Sequence, residues 1–354
     1  MEKMSGYAFV AAILMTALAM VCYYLYAISG LRASRVQTAG GPTSAGPLGI
    51  VSGPRTAAIG RYASVLGWLA VAALLASLVF RTIATGHGPF ANMYEFSVAF
   101  AFGILGAYMW FEHKYHQRVL ALIVFPVSLG MMLYAWSIQG PIEPLVPALQ
   151  NNMLLTVHVA VAIVAYGSFA IAFASSYMFL LQTRSALPLV LATVAGVVAV
   201  SIGGLLGSAP IAMLGGLAAF VTVGVLMAIV VRLTGDRQAA TEESGGRWGL
   251  PKPFVLDEIG YRAVVIGFPF LTLTIILGAV WAETAWGTYW SWDPKETASL
   301  VTWLIYGAYL HARVMRGWRG TRAAWLLVVG FIATLFTYFG NLIFGGLHSY
   351  SGLG

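Results

Sequence analysis

The chain has 354 residues, 60% of them hydrophobic and only 9% charged, with a net charge of +7. A soluble domain carries about 25% charged residues, so this chain cannot cover itself with polar surface and has the bilayer as its solvent. The positive charge does not point to nucleic acid, because the basic residues sit at the ends of apolar stretches and not on one face. The single cysteine, Cys22, excludes an internal disulfide, a CxxC redox pair, a cysteine zinc site and a CxxCH motif. It reads as a small buried apolar residue.

A helix needs about 20 mostly apolar residues to cross a bilayer. About ten stretches qualify: 7–28, 62–80, 93–111, 119–138, 153–181, 187–206, 211–231, 263–281, 297–314 and 323–344. The expected fold is therefore all-α, a polytopic transmembrane helical bundle. The first stretch is too long for a signal-peptide core, and no small-residue cleavage site precedes the polar loop. Only the turn Gly207-Ser208-Ala209-Pro210 divides the sixth and seventh stretches.

Cytoplasmic loops hold the excess of Lys and Arg. With the N-terminus outside, every basic residue except Lys3, Arg81 and Lys295 falls on the inner side. Both termini are then extracytoplasmic, in a multi-pass protein of the cytoplasmic membrane. The inner segment 31–61 is rich in Gly, Ala, Pro, Ser and Thr, with four Arg, and reads as a flexible linker beside anionic membrane lipid. The end of segment 232–262, Phe254 to Ile259, reads as a short interfacial helix.

The most unusual stretch is WAETAWGTYWSWDPKE, residues 281–296. Trp and Tyr favour membrane interfaces, but a belt spreads single residues over many helix ends. Here they crowd one outer loop, and a dense aromatic shelf suits a flat, conjugated ligand that stacks on rings. Asp293-Pro294-Lys295-Glu296 reads as N-cap, Pro at N1 and Glu at N3 reaching back. Asp293 is thus expected mainly to cap a helix and orient the aromatic loop.

Six histidines remain to be placed. His113 and His116 lie in a short inner loop, 112–118, held in water by Glu112, Lys114 and Arg118. His158 lies about 8 Å below the outer end of the fifth stretch, and His311 about 21 Å below the outer start of the ninth, at 1.5 Å per residue. His348 follows the last stretch and His87 lies in the outer loop Gly86-His87-Gly88-Pro89. Intramembrane ionisable groups are functional candidates, against the alternative of a neutral imidazole bonded to a neighbouring helix. Imidazole is also a common axial ligand of haem iron.

These residues resemble a known family. Trp286-Gly287-x-Tyr289-Trp290-x-Trp292-Asp293-Pro294-Lys295-Glu296 is similar to the WWD signature of haem-handling membrane proteins. The flanks Leu256-Asp257-Glu258-Ile259-x-Tyr261-Arg262, Gly267-Phe268-Pro269, Tyr309-Leu310-His311-Ala312-Arg313 and Gly346-Leu347-His348-Ser349-Tyr350 narrow it, as does Gly86-His87-x-Pro89-x-x-Asn92-x-Tyr94-Glu95 upstream. Together they resemble the CcsA/ResC-type proteins of System II cytochrome c biogenesis. The chain then divides into N-terminal spans with their linker (1–79), a first haem-handling block (80–182), a variable span pair with its loop (183–249) and the WWD core (250–354). Departures are small: Ala298 stands where the family has a further Trp, and Phe96 where it has Ser.

The resemblance implies that His158 and His348 ligate haem iron at an outer site. His311 is implied at an inner site completed by a partner membrane protein of the Ccs1/ResB type. Trp286, Tyr289, Trp290, Trp292, Asp293 and His87 complete the implied binding set. Haem b is then a transported substrate, presented for thioether attachment to the CxxCH of apocytochrome c, and the chain is the haem-presenting subunit of a cytochrome c synthase (haem lyase). Two rivals remain: a haem conduit or exporter with no synthase role, and a transmembrane electron-transfer cytochrome b. No side chain reads as a covalent nucleophile or a conventional acid–base pair.

Overall fold

A computed structural model describes residues 1–37, 54–139, 149, 152–182, 251–340, 344 and 346–348. Among the described residues every regular element is helical: α1 (Glu2–Gln37), α2 (Pro54–Thr85), α3 (Met93–Tyr115), α4 (Ala121–Ser137), α5 (Asn152–Gln182), α6 (Pro253–Trp286), α7 (Pro294–Arg316) and α8 (Thr321–Phe339). Among the described residues, seven helices are long and apolar enough to cross a membrane. The stretches expected at 187–206 and 211–231 lie outside the described residues.

One expectation is met in part and another is corrected. The ninth stretch is a helix, α7, but is not among those apolar enough to cross. Lys295, Glu296, His311, Arg313 and Arg316 interrupt it, and its buried positions Ala298, Thr302, Tyr306, Tyr309 and Arg313 form one stripe at helical spacing. Phe254 to Ile259 is no separate interfacial helix. It is the first part of the continuous helix α6, anchored where Asp257 receives Arg313 Nη1 at 2.5 Å and the Gly320 N–H at 3.1 Å.

Helices α1 and α2 pair antiparallel, with Ser5 Oγ donating to the Ser77 carbonyl at 2.9 Å and Tyr26 lying over Gly60. The buried face of α1 runs Ser5, Phe9, Ala12, Thr16, Ala19, Tyr23, Tyr26. Those alternating steps of four and three are coiled-coil spacing. Lipid supplies no hydrophobic drive between helices, so close contact through small residues does the work. Ala12, Ala19, Ala63 and Ala70 are fully buried here.

Helix α3 is held at both ends. Asn92 Oδ1 accepts the Glu95 N–H at 3.0 Å, and Glu95 returns a carboxylate to the Ala91 N–H at 2.9 Å and to Arg81 Nε of α2 at 2.8 Å. At the other end Glu112 accepts from Tyr23 at 2.5 Å, from Tyr108 at 2.6 Å and from Ser64, and pairs with Arg118 at 3.3 Å. Glu112 is thus buried, not solvated with the exposed His113 and His116. Helix α5 is central. It packs along α6, and Phe169 stacks on Tyr306 of α7 at 3.8 Å and Phe173 on Phe331 of α8 at 4.5 Å.

Candidate functional site

A half-open cavity of about 80 Å³ lies where α5, the end of α6, the 287–293 loop, the start of α7, the end of α8 and His348 meet. His158, Tyr289, Trp290 and His348 all line it, with Trp281, Tyr166 and Lys295. The two imidazoles therefore come from residues far apart in sequence to one space.

Each imidazole is oriented through Nδ1. His158 Nδ1 donates to the Thr274 carbonyl of α6 at 2.9 Å. A carbonyl only accepts, so a neutral His158 carries its lone pair on Nε2. The ring lies against the α6 backbone: a Cβ on Gly278 would come within 2.8 Å of His158 Cε1. His348 Nδ1 donates to Asp293 Oδ1 at 2.8 Å, which fixes the same tautomer. Hydrogen bonds of this kind hold ligating histidines in metal sites. Trp286 stands edge-on to His348 at 4.9 Å and to Trp281 at 4.7 Å, so it buttresses the imidazole.

Asp293 caps α7 as expected. Its Oδ1 accepts the Lys295 N–H at 2.9 Å, Pro294 opens the helix, and Glu296 closes the capping box. The segment holding His348 packs tightly on this cap, and a Cβ on Gly346 would collide with Asp293 Oδ2. Burial alone would raise the Asp293 carboxyl. The hydrogen bond from His348 and the Lys295 N–H outweigh it and hold its pKa well below the usual carboxylate range. Burial lowers the His348 pKa, with Lys295 adding to it and Asp293 opposing.

The aromatic loop is divided by its backbone. Trp292 has φ +60°, a conformation rare for a bulky side chain. The turn sends Trp292 outward, 69% exposed and edge-on to Trp290 at 5.8 Å, while Trp290 faces the cavity. Two candidates lie elsewhere. His87 is buried against Phe90 and donates Nδ1–H to the Gly88 carbonyl at 2.8 Å, outside the cavity lining. His311 is exposed on α7.

The family described as Cytochrome C assembly protein matches residues 90–348. The chain is 36% identical over 313 residues to the cytochrome c biogenesis protein CcsA of Synechococcus elongatus, covering 83% of this chain and 87% of that one. It is 37% identical over 301 residues to CcsA of Gloeobacter violaceus, with the same coverage. Against CcsA of Porphyra purpurea it is 33% identical over 306 residues, covering 85% and 90%. The chain belongs to the CcsA family.

The match to the Cytochrome C assembly protein family begins at Phe90 and ends at His348, so it contains both cavity histidines and α3 to α8, while α1 and α2 precede it. Several lining residues were not proposed as binding residues from the sequence: Tyr166, Thr274, Gly278, Lys295, Ser299 and Thr337. Most are ordinary helix residues whose only signal is position. Lys295 did carry a signal, as one of three basic residues expected outside the inner loops.

Proposed function

We propose that the cavity receives haem as a transported substrate, with His158 and His348 as its two axial ligands. The observation that carries this is that both imidazoles line one cavity with Nδ1 already committed to an acceptor. Nε2 is then the ligating nitrogen on each side. Trp290 and Tyr289 supply rings for the macrocycle. The chain's own contribution is to bind, orient and ligate. The vinyl groups that react with cysteine thiols belong to the haem.

The basic-residue asymmetry supports an extracytoplasmic cavity and both termini outside, with about ten spans in the cytoplasmic membrane. Haem passes an inner site near His311 on its way there and is presented to the CxxCH of apocytochrome c. The second ligand of the inner site comes from a membrane partner of the Ccs1/ResB type. His311 belongs to an exposed stripe of α7, Val301, Leu304, Ala308, His311 and Met315, whose other members are apolar. A histidine on such a face suits a ligand pair shared with another chain. A cytochrome b with His158 and His311 on one haem is disfavoured, because His311 does not line the cavity of His158.

The test is His158→Gly and His348→Gly in the full chain. Each should lose the six-coordinate haem spectrum and cytochrome c maturation, and added imidazole should restore part of both. Unchanged haem content and spectrum in both variants would refute the ligation.

A further inference from the structure

The cavity wall carries two carboxylates close by and one ammonium, and their situations differ. Glu296 Oε2 accepts the Ser291 N–H at 2.8 Å, the Ser291 hydroxyl at 3.1 Å and the Asp293 N–H at 3.3 Å. Asp293 is taken up by the Lys295 N–H and His348. Both acidic side chains are therefore turned toward the loop backbone and the histidine. Lys295 lines the cavity and is partly buried, yet among the described residues no carboxylate forms a salt bridge with it. Its Nζ lies over the Phe96 ring, 5.3 Å from the centroid. Asp293 acts on this ammonium only at longer range, without pairing with it.

We propose that Lys295 binds a carboxylate of the substrate, a propionate of the porphyrin, and so fixes which edge of the macrocycle lies toward the start of α7. The assignment rests on the reading of the cavity as the haem site. Burial lowers the Lys295 pKa to about 8 against the pull of Asp293, as expected of a cation that waits for a partner. Two imidazoles along one axis leave a planar ring free to rotate about that axis. A charge contact at its edge removes this freedom and would hold the vinyl edge at a constant position.

The experiment titrates the full-length chain in detergent with haemin and with haemin dimethyl ester, whose propionates are uncharged. Wild type, Lys295→Met and Lys295→Arg are compared by Soret absorbance. Wild type should prefer the free acid roughly tenfold, the size of one charge-assisted hydrogen bond. Lys295→Met should bind both at the wild-type affinity for the ester, and Lys295→Arg should keep most of the preference. Binding of both porphyrins with an acid-to-ester ratio that Lys295→Met leaves unchanged overturns the assignment alone. Binding of neither by wild type overturns the haem reading and the assignment with it.

Discussion

The Asp293 carboxylate that caps α7 also receives the Nδ1–H of His348 at 2.8 Å, from 55 residues farther along the chain. One side chain thus sets the start of a helix and the tautomer of a candidate iron ligand. The two duties can be separated by substitution. Asn is as good an N-cap as Asp, so Asp293→Asn should keep the helix and the thermal midpoint while weakening haem binding roughly 10–100-fold, the usual loss for a partner of a ligating histidine. Asp293→Ala should weaken binding as much and also cost about 1 kcal/mol of stability. Haem titration and thermal melts of the two variants decide it, and wild-type affinity in Asp293→Asn would show that the pair does not tune ligation.

Gly278 allows the His158 ring to lie on α6. A methyl there would meet Cε1 at 2.8 Å, and overpacking of this sort costs about 1–3 kcal/mol. The ring is held by one hydrogen bond to Thr274 and should swing before the helices part. Gly278→Ala is expected to give a folded protein with a five-coordinate, high-spin haem spectrum. A wild-type spectrum from the variant would place the ligand elsewhere.

Cysteine substitution can report which loop side chains reach the porphyrin, because a thiol adds across a haem vinyl group. Tyr289→Cys and Trp290→Cys should crosslink, since both wild-type side chains line the cavity. Trp292→Cys should crosslink far less, since Trp292 is turned outward and 69% exposed. Equal yields at the three positions would mean that the aromatic loop is rearranged when haem binds.

For His311 the expected behaviour depends on a second chain. His311→Ala should leave the haem content of the isolated protein nearly unchanged and reduce the haem per polypeptide of the co-expressed pair. The ratio measured with and without the partner, in wild type and variant, is the readout. Full maturation of cytochrome c by this chain alone would rule out the shared inner site.

Much of this was readable from the chain itself, and the reasons differ by residue. Lengths of apolar sequence revealed most helices because bilayer thickness dictates them. The Asp293 cap was legible because Asp-Pro-Lys-Glu is local. Its bond to His348 was not, since nothing in either neighbourhood fixes a contact across 55 residues. The coiled-coil face of α1 was hidden because the residues between its contacts are also apolar. In a lipid-facing helix polarity does not mark the buried side. The outward turn of Trp292 was missed for a different reason, since the positive φ that reverses it falls on a tryptophan and not on a glycine.

The two ends of α3 bear on how far this protein can be shortened. Residues 90–348 carry the family match, which invites trimming the chain to that portion. Yet Glu95 finds Arg81 on α2, and Glu112 finds Tyr23 on α1 and Ser64 on α2. A trimmed chain would keep both carboxylates on α3 while discarding those partners. Removing one member of a buried ion pair costs about 3–5 kcal/mol. The first two helices thus act as a fitted sleeve for α3, and residues 90–348 taken alone would lack it.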